Sequence, residues 1–419
     1  MPELNAGDTA WILISTALVL FMTPGLAFFY AGMVRAKNVL GMLMQNFFAM
    51  GLLAVIWVLV AFSLAFGNWG DGGWIGNFDY LGFNNVGPET ITLGDGTNVA
   101  ALALTIPFIL YATFQMTFAI ITPALITGAI ADRMKFAAYA VFIGIWLVVV
   151  YAPVAHWVFA GGWLAKMGAL DFAGGAVVHI NAGAAALVLA LMLGKRRGWP
   201  KELMHPHGLP WTMIGTGVLW FGWAGFNAGS ALAANGLAAQ AMFNTFIAAS
   251  AAMLGWLLVE RIKDGHATTL GAASGAVAGL VAITPCAGFV SGMSPIIIGF
   301  VTGGVCFLAI QLKYKFGYDD SLDVVGVHLV GGLMGSILLG LFASTKVNSA
   351  GFDGLFFGGG TGLLQDQLVA SGVVLVFSGV MTFIIAKLID VTIGLRVSEE
   401  DEQQGLDLSQ HAETAYNFG

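Results

Sequence analysis

Two histidines stand inside long apolar stretches of this sequence, where an ionisable side chain is costly. His179 lies in "DFAGGAVVHINAG", which begins at Asp171, and His328 lies in a similar stretch that begins at Asp323. Ionisable residues inside membrane segments usually mark a substrate pathway or a proton relay. A neutral imidazole can donate one hydrogen bond and accept another, so two neighbouring rings can share a proton. The pair is therefore a candidate proton relay. The alternative is that each histidine is an ordinary hydrogen-bonded interior residue.

Two histidines could also be ligands of a metal ion. A protein zinc site needs at least three protein ligands, and no further His, Cys or carboxylate shares a face with these two. Asp171 and Asp323 stand at helix starts, so both are predicted to be N-caps with a structural or electrostatic role. We expect no metal, no cofactor and no catalytic residue. The chain is not predicted to be an enzyme, because no nucleophile–base set stands out.

The composition indicates which class of protein holds these side chains. Of 419 residues, 58% are hydrophobic and 9% are charged, whereas about 25% of the residues of soluble domains are charged. This predicts a multi-pass protein of the cell membrane, and no nucleic-acid partner is expected. The N-terminus, "MPELNAGDTAWILIS", lacks a basic segment, so no cleaved signal peptide is predicted.

Apolar runs long enough to cross a bilayer, which takes about 20 residues, occur eleven times in the sequence. Their length favours helices over barrel strands, so the fold class is predicted to be an all-α integral membrane protein. The predicted spans are 10–33, 40–67, 100–131, 136–158, 174–194, 209–229, 237–260, 267–284, 292–313, 323–345 and 366–394.

The orientation of the spans follows from the basic residues. Fourteen Lys and Arg residues lie on the side that carries the loops after the odd-numbered spans, and two, Lys166 and Lys346, lie on the other side. Cytoplasmic loops carry the excess of Lys and Arg. The N-terminus is therefore predicted to be outside and the C-terminus inside, which agrees with an odd number of spans.

An internal repeat relates the two halves of the chain. The first span contains "GLAFFYAG" and the sixth contains "GWAGFNAG", and both fit G-x-A-x-F-x-A-G. The fifth and tenth spans also begin alike, with Asp, Gly and Val-His. Because five spans separate the copies, the halves lie antiparallel, which is the signature of an inverted repeat. We predict a membrane domain at 1–395, with repeats near 10–194 and 209–345 and a last helix at 366–394, and a cytoplasmic tail at 396–419.

The repeat brings the two histidines together. His179 lies eight residues after Asp171, roughly 12 Å along a helix, and His328 lies five residues after Asp323, roughly 7–8 Å along its helix. The two helices run in opposite directions, so the imidazoles approach the middle of the membrane from opposite sides. Desolvation favours a neutral pair, or a pair with one shared proton.

With these residues assembled, the sequence resembles an ammonium transporter of the Amt/MEP/Rh family, on the Amt side. The resemblance rests on "DFAGGAVVHINAG", "GFNAGS", "FQMTFAIITPALITGAIADR", "DDSLDVVGVHLVGG" and the tail after residue 390, and it covers essentially the whole chain. It implies eleven helices, in two inverted five-helix halves plus a final long helix. It also implies a homotrimer with one pore in each subunit.

The resemblance assigns roles to individual residues. His179 and His328 match the twin pore histidines, and Phe118 and Phe226 match a gate of stacked phenylalanines above them. Asp171 matches an essential acidic residue near the outer mouth. Ammonium recruitment at that mouth falls to an aromatic and hydroxyl set, namely Phe118, Phe159, Trp223 and Ser230. Phe159 stands where many bacterial members have Trp, which is the better cation–π face, so weaker recruitment is expected.

The function that the resemblance implies is transport of ammonium, with methylammonium as a second candidate substrate. Ammonium is expected to lose its proton and cross as ammonia, with the proton following separately; passive ammonia conduction is the alternative. The tail implies a cytoplasmic PII-type signalling partner that binds the inner loops and residues 396–419. Rival functions are a gas channel of the Rh side, an ammonium sensor and a potassium channel. A sensor is disfavoured because about 25 residues follow the last span, and a potassium channel because no TVGYG-like filter occurs.

Overall fold

Long helices dominate the computed structural model, which describes residues 1–96 and 100–417. The predicted outer loop 68–99 and tail 396–419 each end in residues that lie outside this description. The long segments are α1 (Ala6–Met33), α2 (Ala36–Phe66), α3 (Phe108–Ile130), α4 (Phe136–Met167), α5 (Gly175–Leu193), α6 (Leu209–Trp223, continued by a π-helix at Ala224–Ala228), α7 (Gly236–Asp264), α8 (Thr269–Ile283), α9 (Ser294–Phe316), α10 (Val325–Phe342) and α11 (Gly362–Thr392).

Within the described parts of the chain, nine of these segments are long and apolar enough to cross a membrane. The other two, α6 and α8, have fifteen α-helical residues each, and both pack against the longer helices. Of these nine, the most enclosed segments are α3 and α5, and the least enclosed is α11. The interior of the bundle is therefore built around α3 and α5.

The predicted start of the third span at residue 100 is wrong. A short antiparallel hairpin occupies this region, pairing β1 (Thr92–Leu93) with β2 (Leu102–Ala103), and α3 begins only after Pro107. Proline disfavours helical backbone in the residue before it and cannot donate to a helical ladder. The run 100–107 is apolar enough to extend a hydropathy window, but Pro107 ends the extended segment and starts the helix.

Close backbone contact joins the first helix of each half, α1 and α6. A Cβ on Gly215 would lie 2.3 Å from the Phe29 amide nitrogen and 2.6 Å from the Gly25 carbonyl oxygen. Small residues permit this approach, and dispersion between the tightly packed backbones then stabilises the pair inside a bilayer. The two copies of the G-x-A-x-F-x-A-G segment lie on these two helices, so the repeat predicts a real helix pairing.

The tail is folded against the bundle in two short helices, α12 (Glu399–Gln404) and α13 (Leu406–His411). The Glu402 carboxylate is 1% exposed and accepts hydrogen bonds from Arg396 Nη2 and from the Arg197 amide, each at 2.7 Å. Asp407 accepts from the amide of Gly41 at 2.7 Å. The loop after α5 and the start of α2 therefore hold the tail in place.

Replacing Glu402 with alanine is expected to release the tail. Arg396 is 31% exposed, so water compensates part of its lost partner, whereas the Arg197 amide also loses its acceptor. A lost partner of this kind costs about 1–3 kcal/mol, so cleavage by trypsin after Arg396 should accelerate by about tenfold or more. The exposed Glu399 provides a matched control, and Glu399→Ala should be cleaved like wild type. Equal cleavage of all three proteins would show that Glu402 does not anchor the tail.

Candidate functional site

The two histidines meet in the interior of the bundle, as the repeat predicts. Their Nδ1 atoms are 3.3 Å apart, and the rings lie 5.3 Å apart at 21° to each other. His179 is 1% exposed and His328 is 3% exposed. The His179 Nε2 atom has no hydrogen-bond partner among the described residues. In the shared hydrogen bond one Nδ1 donates and the other accepts, so the rings are either both neutral or hold one extra proton between them.

An aspartate caps the helix that carries His179. The Asp171 carboxylate accepts four backbone N–H groups: those of Gly174 and Gly175 at 2.8 and 2.7 Å, and those of Ala176 and Val177 at 2.8 and 3.2 Å. These are the orphan donors of a helix start. Burial raises the pKa of Asp171, and the four N–H donors oppose that shift. The predicted capping role of Asp171 agrees with this geometry.

The corresponding cap of α10 is Asp320 rather than the predicted Asp323. Asp320 accepts the backbone N–H groups of Val324 at 3.1 Å and Val325 at 2.7 Å. Asp323 has φ +64° and instead pairs through Oδ1 with Lys313 Nζ at 2.5 Å. The spacing in the sequence indicates Asp320 as the cap, because Asp171 precedes His179 by eight residues and Asp320 precedes His328 by eight residues.

Glycines set the distance between the two histidine helices. Gly183 and Gly332 each follow a histidine by four residues, one helical turn. A Cβ on Gly183 would lie 2.5 Å from the amide nitrogen of Leu329, and one on Gly332 would lie 3.1 Å from His179 Cβ. Both helices also begin as π-helix, at Gly175–Ile180 and Val325–Leu329. Such wider turns recur at functional sites, and here they carry the two imidazoles.

Two phenylalanines cover the histidine pair on one side. The Phe118 and Phe226 rings lie 4.4 Å apart, and both are almost fully buried. Their planes meet at 42°, so the pair is tilted and not stacked as the resemblance implies. The Phe226 ring lies 6.2 Å from the His179 ring. The two phenylalanines therefore close the approach to the imidazoles from the side of Asp171.

Trp223 lies beside the histidines and not in the outer mouth, which corrects the predicted recruitment role. Its ring is 5.6 Å from His179 at 21°, and its Nε1 donates to Thr284 Oγ1 at 2.9 Å. It is 2% exposed and lines the same narrow space as His328. Adjacent helix positions differ by about 100° in direction and π-turns alter this further, so the motif alone did not fix where the indole points.

A cavity of about 500 Å³ opens beyond the phenylalanine pair, on the Asp171 side. Phe118, Phe159 and Ser230 line it, three of the four residues to which the resemblance assigns ammonium recruitment. The Ser230 hydroxyl donates to the Phe226 carbonyl at 2.8 Å, which leaves its oxygen lone pairs able to accept from a ligand. Tyr111 and Gln115 also line the cavity and were not predicted, although they precede Phe118 by seven and three residues and so share its side of α3.

A second cavity, of about 330 Å³, lies at the other end of the site. Its wall is rich in charge, with Arg196, Lys313, Asp132 and Asp323 among the lining residues. Arg196 binds Asp319 through Nε and Nη2, each at 2.9 Å. Burial opposes ionisation of Asp319, but the Arg196 guanidinium holds its pKa below the ordinary value. This end is therefore a polar, ion-paired vestibule.

The three spaces follow one another along the helices. Asp171 lines the first cavity and leads into α5, where His179 lines the central chamber. His328, on α10, lines that chamber, and Asp323, just before α10, lines the second cavity. The chamber between them encloses about 10 Å³ and is almost entirely apolar apart from the imidazoles. A small neutral molecule suits such a path, whereas a bare ion would pay a large desolvation cost there.

Comparison with known proteins identifies the family. The Ammonium Transporter Family model matches residues 10–416. The chain is 53% identical over 434 aligned residues to an ammonium transporter of Mycobacterium tuberculosis (strain ATCC 25618 / H37Rv), covering 99% of this chain and 91% of the relative. It is 49% identical to the ammonium transporter of Bacillus subtilis (strain 168), covering 99% of both.

A solved structure gives the same result at the level of the fold. The crystal structure of Saccharomyces cerevisiae Mep2 matches with a TM-score of 0.85 at 36% identity, covering 95% of this chain and 89% of that chain. Sequence, fold and the buried histidine pair between two cavities agree, and the protein is a member of the ammonium transporter family.

Proposed function

We propose that this protein takes up ammonium through a pore that runs from the Asp171 cavity, past Phe118 and Phe226, to the paired histidines. The observation that carries the proposal is the 3.3 Å contact between His179 and His328 at the centre of an otherwise apolar chamber. Burial disfavours the charged form of each imidazole, so a buried histidine pair is costly. Ionisable residues that persist inside a membrane protein usually mark a substrate pathway or a proton relay.

Recruitment of ammonium is proposed for the outer cavity. The aromatic faces of Phe118 and Phe159 attract a cation, and the Ser230 oxygen accepts an N–H from it. A potassium ion has a similar charge and size but no N–H donors, so the Ser230 contact favours ammonium. Asp171 adds negative charge at the rim of the cavity while its oxygens hold the start of α5.

Deprotonation is proposed at the phenylalanine pair, where a transient water accepts the proton and passes it towards His179, because the chamber beyond the pair suits ammonia and not ammonium. Ammonia then crosses past His179 and His328, while the proton follows separately through the imidazoles and transient water. The unpartnered Nε2 of His179 and the shared Nδ1–Nδ1 hydrogen bond provide acceptor and donor positions for such a relay. Net uptake of charge results.

Removing both imidazoles tests this proposal directly. The double variant His179→Ala, His328→Ala should lose ammonium-evoked current in proteoliposomes by about 10²-fold or more, the usual scale for loss of a positioned proton carrier. His411→Ala, in the tail, is the matched control and should keep the wild-type current. A double variant that carries current with unchanged selectivity against potassium would refute the relay. Silent wild-type protein with intact ammonia flux would favour a gas channel.

The membrane arrangement extends the proposal. The protein is a multi-pass membrane protein, and we propose eleven spans, α1–α11, in two inverted halves, 10–194 and 209–345, with a last helix at 366–394 within a domain of residues 1–395. The N-terminus is placed outside and the tail 396–419 inside. A homotrimer and a cytoplasmic PII-type partner follow from the family resemblance, and the ordered tail supports a binding role for that face. Mass measurement in detergent and a pull-down with a PII protein test both.

A further inference from the structure

The second cavity, which the proposed orientation makes the inner cavity, already contains an ammonium group, that of Lys313. Its Nζ donates to Asp323 Oδ1 at 2.5 Å and to the Asp320 carbonyl oxygen at 3.2 Å. The same atom lies 5.5 Å from the centroid of the Tyr314 ring. The Lys313 side chain is only 10% exposed, although it lines a polar cavity. A carboxylate, a carbonyl and an aromatic face therefore surround one primary ammonium group.

This set of partners is chemically suited to a free ammonium ion. An ammonium ion needs hydrogen-bond acceptors and a compensating negative charge, and aromatic faces attract it. The Lys313 group differs from the free ion only in having one N–H replaced by its side-chain stem. Lysine thus occupies a position that the transported ion could itself take.

The position matters because it lies on the route out of the pore. Asp323 lines the inner cavity and lies just before the start of α10, five residues ahead of His328 in the chain. An ammonium ion that forms again beyond the histidines enters this cavity, where the Asp323 carboxylate is among the first charged groups on its route. Burial raises the pKa of Asp320 to about 6, the charge of Asp323 adds to this shift, and Lys313 opposes it. Without Lys313, the Asp323 carboxylate would lose its compensating charge and would draw in a mobile cation.

We propose that Lys313 is a tethered competitor: its side-chain ammonium occupies the cation position formed by Asp323 and the Asp320 carbonyl, and so keeps ammonium of the inner compartment from binding at the pore exit. The inference rests on the proposed transport function. Its consequence is directional, because uptake continues while ammonium accumulates inside. Lys313 is thereby a determinant of inhibition by product and takes no part in the chemistry at the histidines.

A purely structural role for Lys313 predicts something different. The residue stands in the last turn of α9, where a cation stabilises the helix end, and it joins α9 to the start of α10. Its loss would then lower stability or uptake by the same factor whatever the inner ammonium concentration. Dependence of uptake on inner ammonium therefore separates the two roles.

The experiment uses the full-length protein in proteoliposomes, with sidedness fixed by capturing vesicles whose C-terminal affinity tag is enclosed or accessible. Initial ammonium-evoked uptake is measured with rising ammonium chloride in the compartment that faces the tail. We expect Lys313→Met to match wild type when that compartment is free of ammonium, and to be inhibited at ammonium concentrations on the order of threefold lower, the scale of a partly exposed ion pair. Lys315→Met is the matched control. Lys315 is exposed and lies two residues after Lys313, so this variant should behave as wild type.

Further variants keep the test decisive. The double variant Lys313→Met, Asp323→Asn removes the charge that would hold the ion, so it should return to wild-type inhibition. If methionine lowers the folded fraction in size-exclusion chromatography, Lys313→Gln removes the same positive charge with a polar side chain in its place. Equal inhibition curves for Lys313→Met and wild type, in protein that transports, overturn this inference alone. Absence of ammonium uptake by wild type overturns the proposed function as well.

Discussion

Replacing Asp171 with alanine is expected to abolish ammonium uptake and to destabilise the protein by about 3 kcal/mol, because a buried donor left without a partner costs about 1–3 kcal/mol. Four backbone N–H groups at the start of α5 lose their acceptor in this variant. Water from the outer cavity satisfies some of them, so the costs do not add fully. His179 lies in the π-helical turn that these donors begin, and its imidazole would lose its fixed position opposite His328.

Two further variants show whether the cap or the charge is responsible. Asp171→Asn keeps the size and one accepting oxygen, so we expect an intermediate loss of stability and of uptake. Asp264→Ala removes an exposed carboxylate at the end of α7 and should change neither. The measurements are ammonium-evoked current in proteoliposomes and the midpoint of thermal unfolding in detergent. Full uptake by Asp171→Ala would show that the cap is dispensable and that α5 is held by packing alone.

The second large effect is expected at Gly183, where one methyl group should separate the two histidine helices. A Cβ at this position would lie 2.5 Å from the Leu329 amide nitrogen and 2.6 Å from the Leu329 Cβ. Backbone atoms cannot give way as the end of a flexible side chain can, so α5 and α10 must move apart. Overpacking of this kind costs about 1–3 kcal/mol. A displacement of about 1 Å between reacting groups can cost 10²-fold in rate.

Gly372 offers a matched control in another apolar helix. No described atom lies within 4 Å of the position that a Cβ on Gly372 would take. Alanine there should be neutral or stabilising by about 0.5–1 kcal/mol, since glycine is a poor residue in a helix interior. Gly183→Ala should lose uptake by about tenfold or more while Gly372→Ala keeps it. If both variants transport equally, close contact between α5 and α10 is not needed for the histidine pair.

Asp320 and Asp323 show how well residue spacing alone can predict which aspartate caps α10. The fifth and tenth spans were aligned through their Gly and Val-His residues, which made Asp323 the apparent partner of Asp171. The distance to the histidine, eight residues in each half, would have selected Asp320. Asp323 has a positive φ and pairs with Lys313, and that contact joins α9 to the residues just before α10.

The amino-acid sequence by itself determined the membrane class, the approximate positions of most helices, the histidine pair and the repeat. Each of these follows from local properties, namely the hydropathy of a run, its length and the recurrence of a short pattern. The tertiary structure alone decided that Trp223 lies beside His179, that the phenylalanine planes are tilted, and that the polar tail is an ordered clasp held by Glu402. These features depend on lateral contacts between segments far apart in the chain, whose directions no local pattern encodes.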